Sequence, residues 1–92
     1  MRQNGEIMYE KIVDTIIDVI SNELDIDPAD LNAETSLTND LKVDSLDFVE
    51  ISLALEDIYG VSFDDDELAK SMSASTTIGD IAEYLISLGV SE

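Results

Sequence analysis

The chain has 92 residues, 45% of them apolar, and 22 acidic residues against 4 basic ones give a formal charge of −18. That length suits one domain, residues 1–92, with enough apolar residues for a core, so the acid excess does not mark a disordered chain; it opposes nucleic acid and anionic membranes and favours partners with basic surfaces. Cysteine and histidine are absent, which removes disulfides, thiolate metal sites, a protein thiol nucleophile and the usual general base, and so speaks against hydrolytic catalysis.

Met1 to Gly5 reads as a loose lead-in. No basic-then-apolar leader opens the chain and no apolar run reaches spanning length, so the expected location is the cytoplasm. From Glu6 to about Leu24 the pattern is helical: Tyr9, Ile12, Val13, Ile16, Ile17, Ile20 and Leu24 share one face, and Glu10, Asp14 and Asp18 another. Asp27-Pro28 is expected to end this helix, because the residue before proline avoids the α region. Asp25 to Val43 then reads as a long loop pinned by Ile26, Leu31, Leu37 and Leu41, with one helical turn near Ala29 to Leu31. An EF-hand in this loop is rejected: counted from Asp25, the sixth position lacks glycine and the twelfth is Ser36 instead of a bidentate glutamate.

Ser45 to Tyr59 predicts a helix of about four turns, with Asp44 as N-cap, Asp47 at the capping-box position and Gly60 as the stop. Two apolar sectors separate on its wheel. Phe48, Ile51, Leu55, Ile58 and Tyr59 form a core-facing stripe. Leu46, Val49 and Leu53 form a second sector, ringed by Glu50, Glu56 and Asp57. This second sector is either buried under the long loop, with Leu37 or Leu41 as cover, or an exposed docking surface for partner enzymes. The docking reading is preferred, with Leu46 the member expected to be partly buried.

After Gly60, Val61-Ser62-Phe63 is expected to be extended and to anchor Val61 or Phe63 in the core. Asp64 caps a short helix ending near Lys70, and Ser71 to Thr76 is a connector. The acids Asp64 to Glu67 read as a solvated charge run instead of a metal site. Thr77-Ile78-Gly79-Asp80 is a capping box opening a last helix through Leu88, with Gly89 as stop, and Ile78, Ile81, Ala82, Leu85 and Leu88 on one face. Tyr9, Tyr59 and Tyr84 lie on or beside apolar faces and read as core. The expected fold is all-α: an up-and-down bundle of three main helices plus one short helix, with a core over about 6–88 and a long loop between the first and second helices.

Ser45 falls in the first turn, where unpaired backbone N–H groups and the positive helix end stabilise an attached phosphate. No base accompanies it, so its hydroxyl suits modification by another enzyme. A phosphodiester-linked arm would let a cysteine-free protein handle thioesters.

The run Asp40-Leu41-Lys42-Val43-Asp44-Ser45-Leu46-Asp47, with Val49-Glu50 and Leu55-Glu56 behind it, resembles the acyl carrier protein family. The similarity runs from about Ile7 to Leu88 and includes the last helix start, Thr77-Ile78-Gly79-Asp80. The resemblance implies a carrier and not an enzyme. It implies that Ser45 bears 4′-phosphopantetheine, added from coenzyme A by a phosphopantetheinyl transferase, with Asp44 and Leu46 as the flanking motif residues. Acyl groups would ride on the arm as thioesters in fatty-acid or related lipid or polyketide synthesis. Glu50, Glu56 and Asp57 match the acidic positions by which such carriers meet basic patches on transferase and synthase enzymes, and with Leu46, Asp47, Val49 and Leu53 they make up the expected partner-binding face. The expected protein is a monomer. Two departures stand out: Lys42 occupies a position where the family usually has glycine, and the 71–76 connector is longer than in the common fatty-acid carrier. A carrier of aminoacyl or D-alanyl cargo, or an acidic module phosphorylated at Ser45, are the alternative readings.

Overall fold

A computed structural model describes residues 4–63 and 76–90. In chain order it contains α1 (Asn4–Leu24), a single 3-10 turn (Pro28–Asp30), α2 (Ser45–Tyr59) and α3 (Ile78–Ser87). No strand occurs among the described residues, and α1 packs against both α2 and α3. The mainly helical bundle expected from the sequence is what forms. The short helix expected over Asp64 to Lys70, and the connector up to 75, lie outside the described residues.

Helix α1 follows the heptad-like spacing of its apolar residues, burying Ile12, Val13, Ile16, Val19 and Ile20 while Asp14 and Asp18 stay exposed. It ends at Leu24, as the pattern over Glu6 to about Leu24 predicts, but Asp27-Pro28 is not what ends it. Asp25 adopts a left-handed conformation (φ 56°) and the Ile26 amide reaches back to the Ser21 carbonyl at 3.1 Å. That 6→1 bond closes the helix first, and aspartate tolerates the left-handed region better than most residues. Pro28 instead opens the 3-10 turn, whose N-cap Asp27 accepts from the Ala29 amide. Gly60 (φ 66°) ends α2 in the left-handed region, with its amide on the Glu56 carbonyl.

The core stripe of α2 holds for Phe48, Ile51 and Leu55, all buried, and Tyr59 is half-buried. Ile58 departs from it, being 52% exposed, while Ser52 is buried. At 100° per residue Ile58 lies about 70° from the line through Phe48 and Leu55, on the side opposite Ser52. The buried face is therefore rotated toward Ser52. Val61 and Phe63 both pack against the core, and the Phe63 ring meets Tyr84 edge-on with centroids 5.5 Å apart.

The long loop is fixed by buried Leu31, Leu37 and Val43 and by its grip on the start of α3. The Leu37 amide donates to the Thr76 carbonyl (2.9 Å), Ile78 to Thr35 (3.0 Å) and Gly79 to Ala33 (2.8 Å). The Ile78 and Gly79 amides belong to the first turn of α3, where helical partners are missing, so the loop satisfies them. Thr77 and Asp80 form the reciprocal capping box there. Helix α1 and the loop both approach so closely that a Cβ on Gly79 would fall inside contact distance of Tyr9 Oη on α1 and 3.1 Å from the Ala33 carbonyl oxygen of the loop. Gly79→Ala is accordingly expected to cost about 1–3 kcal/mol by overpacking. Urea unfolding of Gly79→Ala in wild-type and Tyr9→Phe backgrounds checks this, with a smaller cost expected where the hydroxyl is gone.

Burial pushes the Tyr9 hydroxyl above its usual 10.0, and the charges of Glu83, Asp80 and Glu34 push it the same way. A raised folded-state value means that this contribution is fully present below about pH 10 and is lost as pH rises through the folded value. Between pH 9 and 11, unfolding free energy should therefore fall less steeply in Tyr9→Phe than in wild type.

Candidate functional site

The residues ahead of Ser45 form a closed turn. Asp40 Oδ2 accepts from the Ser36 amide at 2.8 Å, and the amides of Asp40 and Leu41 return to the Ser36 carbonyl. The Val43 amide donates to the Leu37 carbonyl at 2.9 Å. With Leu37 and Val43 buried, this turn anchors the chain immediately before α2. Lys42, exposed between them, takes φ 53°.

Asp44 is extended (φ −88°, ψ 178°), and its Oδ1 accepts from the Asp47 amide at 2.8 Å while its carbonyl accepts from Phe48 at 2.9 Å. Both bonds set the helix start one residue later, at Ser45, which is exposed. The amides of Ser45 and Leu46 head the helix, where no preceding turn offers carbonyls. An exposed hydroxyl thus stands beside the positive end of α2, with no histidine in the chain to activate it. The positive end of α2 suits a phosphoryl group on this hydroxyl, with an attaching enzyme supplying the base that activates it. Ser36 and Ser52, the serines nearest in sequence, are buried.

The second sector of α2 lies in the open. Leu46 is 68% exposed, Val49 45% and Leu53 57%. Neither Leu37, itself buried, nor half-buried Leu41 covers them. Leu46, expected to be the partly buried member, is the most exposed of the three, because it follows the N-cap at the free end of the helix and points away from Phe48. Glu50 and Asp57 are exposed beside this sector and Asp47 is half-buried. Glu56 is different: half-buried, its Oε2 accepts from the Phe63 amide at 2.5 Å. That carboxylate fastens the segment after Gly60, a task with no signature in sequence spacing because the bond spans a turn of seven residues. The left-handed Lys42 was equally hidden, since nothing in its residue type favours that backbone.

No group of three or more histidine, cysteine, aspartate or glutamate side chains among the described residues is placed to hold a metal ion. Asp64 to Glu67 lie outside them. Among the described residues no helix is long and apolar enough to cross a membrane.

Residues 14–85 match the family described as the phosphopantetheine attachment site. The meromycolate extension acyl carrier protein of Mycobacterium tuberculosis is 35% identical over 79 residues, which are 86% of this chain and 65% of that relative. The chain thus spans just under two thirds of the mycobacterial protein's length. The acyl carrier protein of Lactobacillus johnsonii is 37% identical over 76 residues, 83% of this chain and 90% of the relative. Among solved structures, the acyl carrier protein of Enterococcus faecalis superposes with a TM-score of 0.68 at 27% identity, covering 88% of this chain and 98% of that one.

Proposed function

This chain belongs to the acyl carrier protein family, and from that premise we propose that it carries acyl groups as thioesters on a 4′-phosphopantetheine arm attached to Ser45. The family is one of carriers, not catalysts, and its matching domain is where that prosthetic group is covalently attached. The observation that supports Ser45 as the acceptor is its exposed hydroxyl at the amide-bearing end of α2, with Ser36 and Ser52 buried. These residues fit the group: the first-turn amides and the helix end favour the phosphodiester charge. When bound, the arm supplies the terminal thiol on which the cargo is held.

In this reading residues 1–92 act as one carrier domain. Asp44 orients the first turn, and Leu46 lines the approach to the serine. Leu46, Val49 and Leu53 meet partner enzymes, while Asp47, Glu50 and Asp57 pair with basic groups around their docking patches. Glu56 contributes to that rim only with the oxygen its bond to Phe63 leaves over. The partners are a phosphopantetheinyl transferase and acyl-handling synthase enzymes. The relatives described above are named as acyl carriers, which favours acyl cargo over aminoacyl or D-alanyl cargo. In this reading the protein works in the cytoplasm, with coenzyme A as the arm donor.

Intact mass spectrometry tests this reading. Incubation with coenzyme A and a broad-specificity transferase should add one whole arm, and protein isolated from its native cells should carry the arm together with an acyl group. Addition of phosphate alone would point to a phosphorylated module.

A further inference from the structure

We propose that Lys42 is a positioning residue for the arm: its ammonium, together with the free amides at the start of α2, holds the phosphodiester on Ser45. The inference rests on Ser45 as the attachment site. Its starting point is a backbone cost. Among the described residues, Asp25 and Lys42 are the non-glycine residues with positive φ. Aspartate takes that region with little strain, whereas a lysine does so at a cost that glycine would avoid. Strained backbone of this kind points to a side chain with work to do.

That side chain is exposed, and among the described residues its ammonium has neither an ion-pair nor a hydrogen-bond partner. It remains unpaired although Asp40 and Asp44 lie two residues away on either side. Lys42 is also the only basic residue between Lys11 and Lys70, so the whole turn before α2 and all of α2 contain no other cation. A phosphodiester on Ser45 adds negative charge between Asp44 and Asp47. The helix amides offset part of that repulsion, and Lys42, the basic residue nearest to Ser45 in sequence, can offset more. Three peptide steps separate the two residues, so their Cα atoms are at most about 11 Å apart, comparable to the Debye length of about 10 Å at 0.1 M salt. The turn locked by Asp40, Ser36 and Val43 keeps the lysine beside the helix start.

The test compares apo and arm-bearing forms of the full chain for wild type, Lys42→Gln, Lys42→Arg, Lys42→Gly and Lys11→Gln. Intact mass first establishes that the arm is present; a wild-type protein that never accepts it overturns the attachment reading itself. At low salt, attaching the arm should change the unfolding equilibrium constant about threefold less favourably in Lys42→Gln and Lys42→Gly than in wild type. The difference should shrink at high salt, while Lys42→Arg and Lys11→Gln behave as wild type. The phosphorus NMR resonance of the arm should move in Lys42→Gln and stay in Lys11→Gln. Apo Lys42→Gly should melt higher than apo wild type, which separates backbone relief from loss of charge. An arm effect unchanged by Lys42→Gln, or reduced equally by Lys11→Gln, overturns the proposal.

Discussion

Ser45→Ala should abolish attachment of the arm while leaving the fold intact. The serine is exposed at the first position of α2, one residue after the cap, so the helix start depends on Asp44 and not on the serine hydroxyl. Alanine is the best helix former, and an exposed substitution of this kind stays within about 0.5 kcal/mol of wild type. Asp44→Ala is the complementary variant. It removes the acceptor for the Asp47 amide and should cost about 0.5–2 kcal/mol, yet it leaves the hydroxyl in place, so arm attachment should slow without stopping. Intact mass over time and thermal unfolding of both variants are the measurements. A Ser45→Ala protein that still gained an arm would move the site, and either buried alternative, Ser36 or Ser52, would need local opening to react.

Much of this site could be read from the residues because it depends on local chemistry. Asp44, Gly60 and the Thr77–Asp80 box are punctuation whose physics acts within a few residues, and the structure uses each of them. The periodicity of Ile12, Val13, Ile16 and Ile20 likewise found the buried face of α1. What the sequence hid depends on other elements. Ile58 satisfies the same wheel as Ile51, and only the position of α2 against the rest of the bundle leaves it in solvent. The end of α1 near Leu24 was legible but its cause was not: a left-handed aspartate closes the helix before the proline can. Glu56 looked like any other surface acid until the chain turned at Gly60 and brought the Phe63 amide to it. Lys42 read as a change of charge, whereas its backbone conformation also explains why glycine suits that place.

The two faces of α2 should separate stability from partner encounter. Leu55 is fully buried, so Leu55→Ala should cost about 2–5 kcal/mol through lost burial and the cavity left behind. Leu53, two residues earlier, projects from the opposite side and is 57% exposed. Leu53→Ala and Val49→Ala should therefore change unfolding free energy by about 0.5 kcal/mol or less, as exposed substitutions usually do. Their effect should fall on function, because apolar residues at the centre of a contact slow dissociation while charged rims mainly set encounter rates. Glu50→Lys reverses one rim charge in a chain that carries −18, and should slow arm transfer and acyl loading most at low salt, with the defect narrowing as salt is added. Glu56→Gln tests the contrasting position: its carboxylate is committed to the Phe63 amide, so it should cost stability more than it changes loading. Urea unfolding and the salt dependence of arm transfer, measured on the same five variants, check both halves. Strong destabilisation by Val49→Ala and Leu53→Ala, combined with wild-type loading in Glu50→Lys, would mean that partners approach Ser45 from another side.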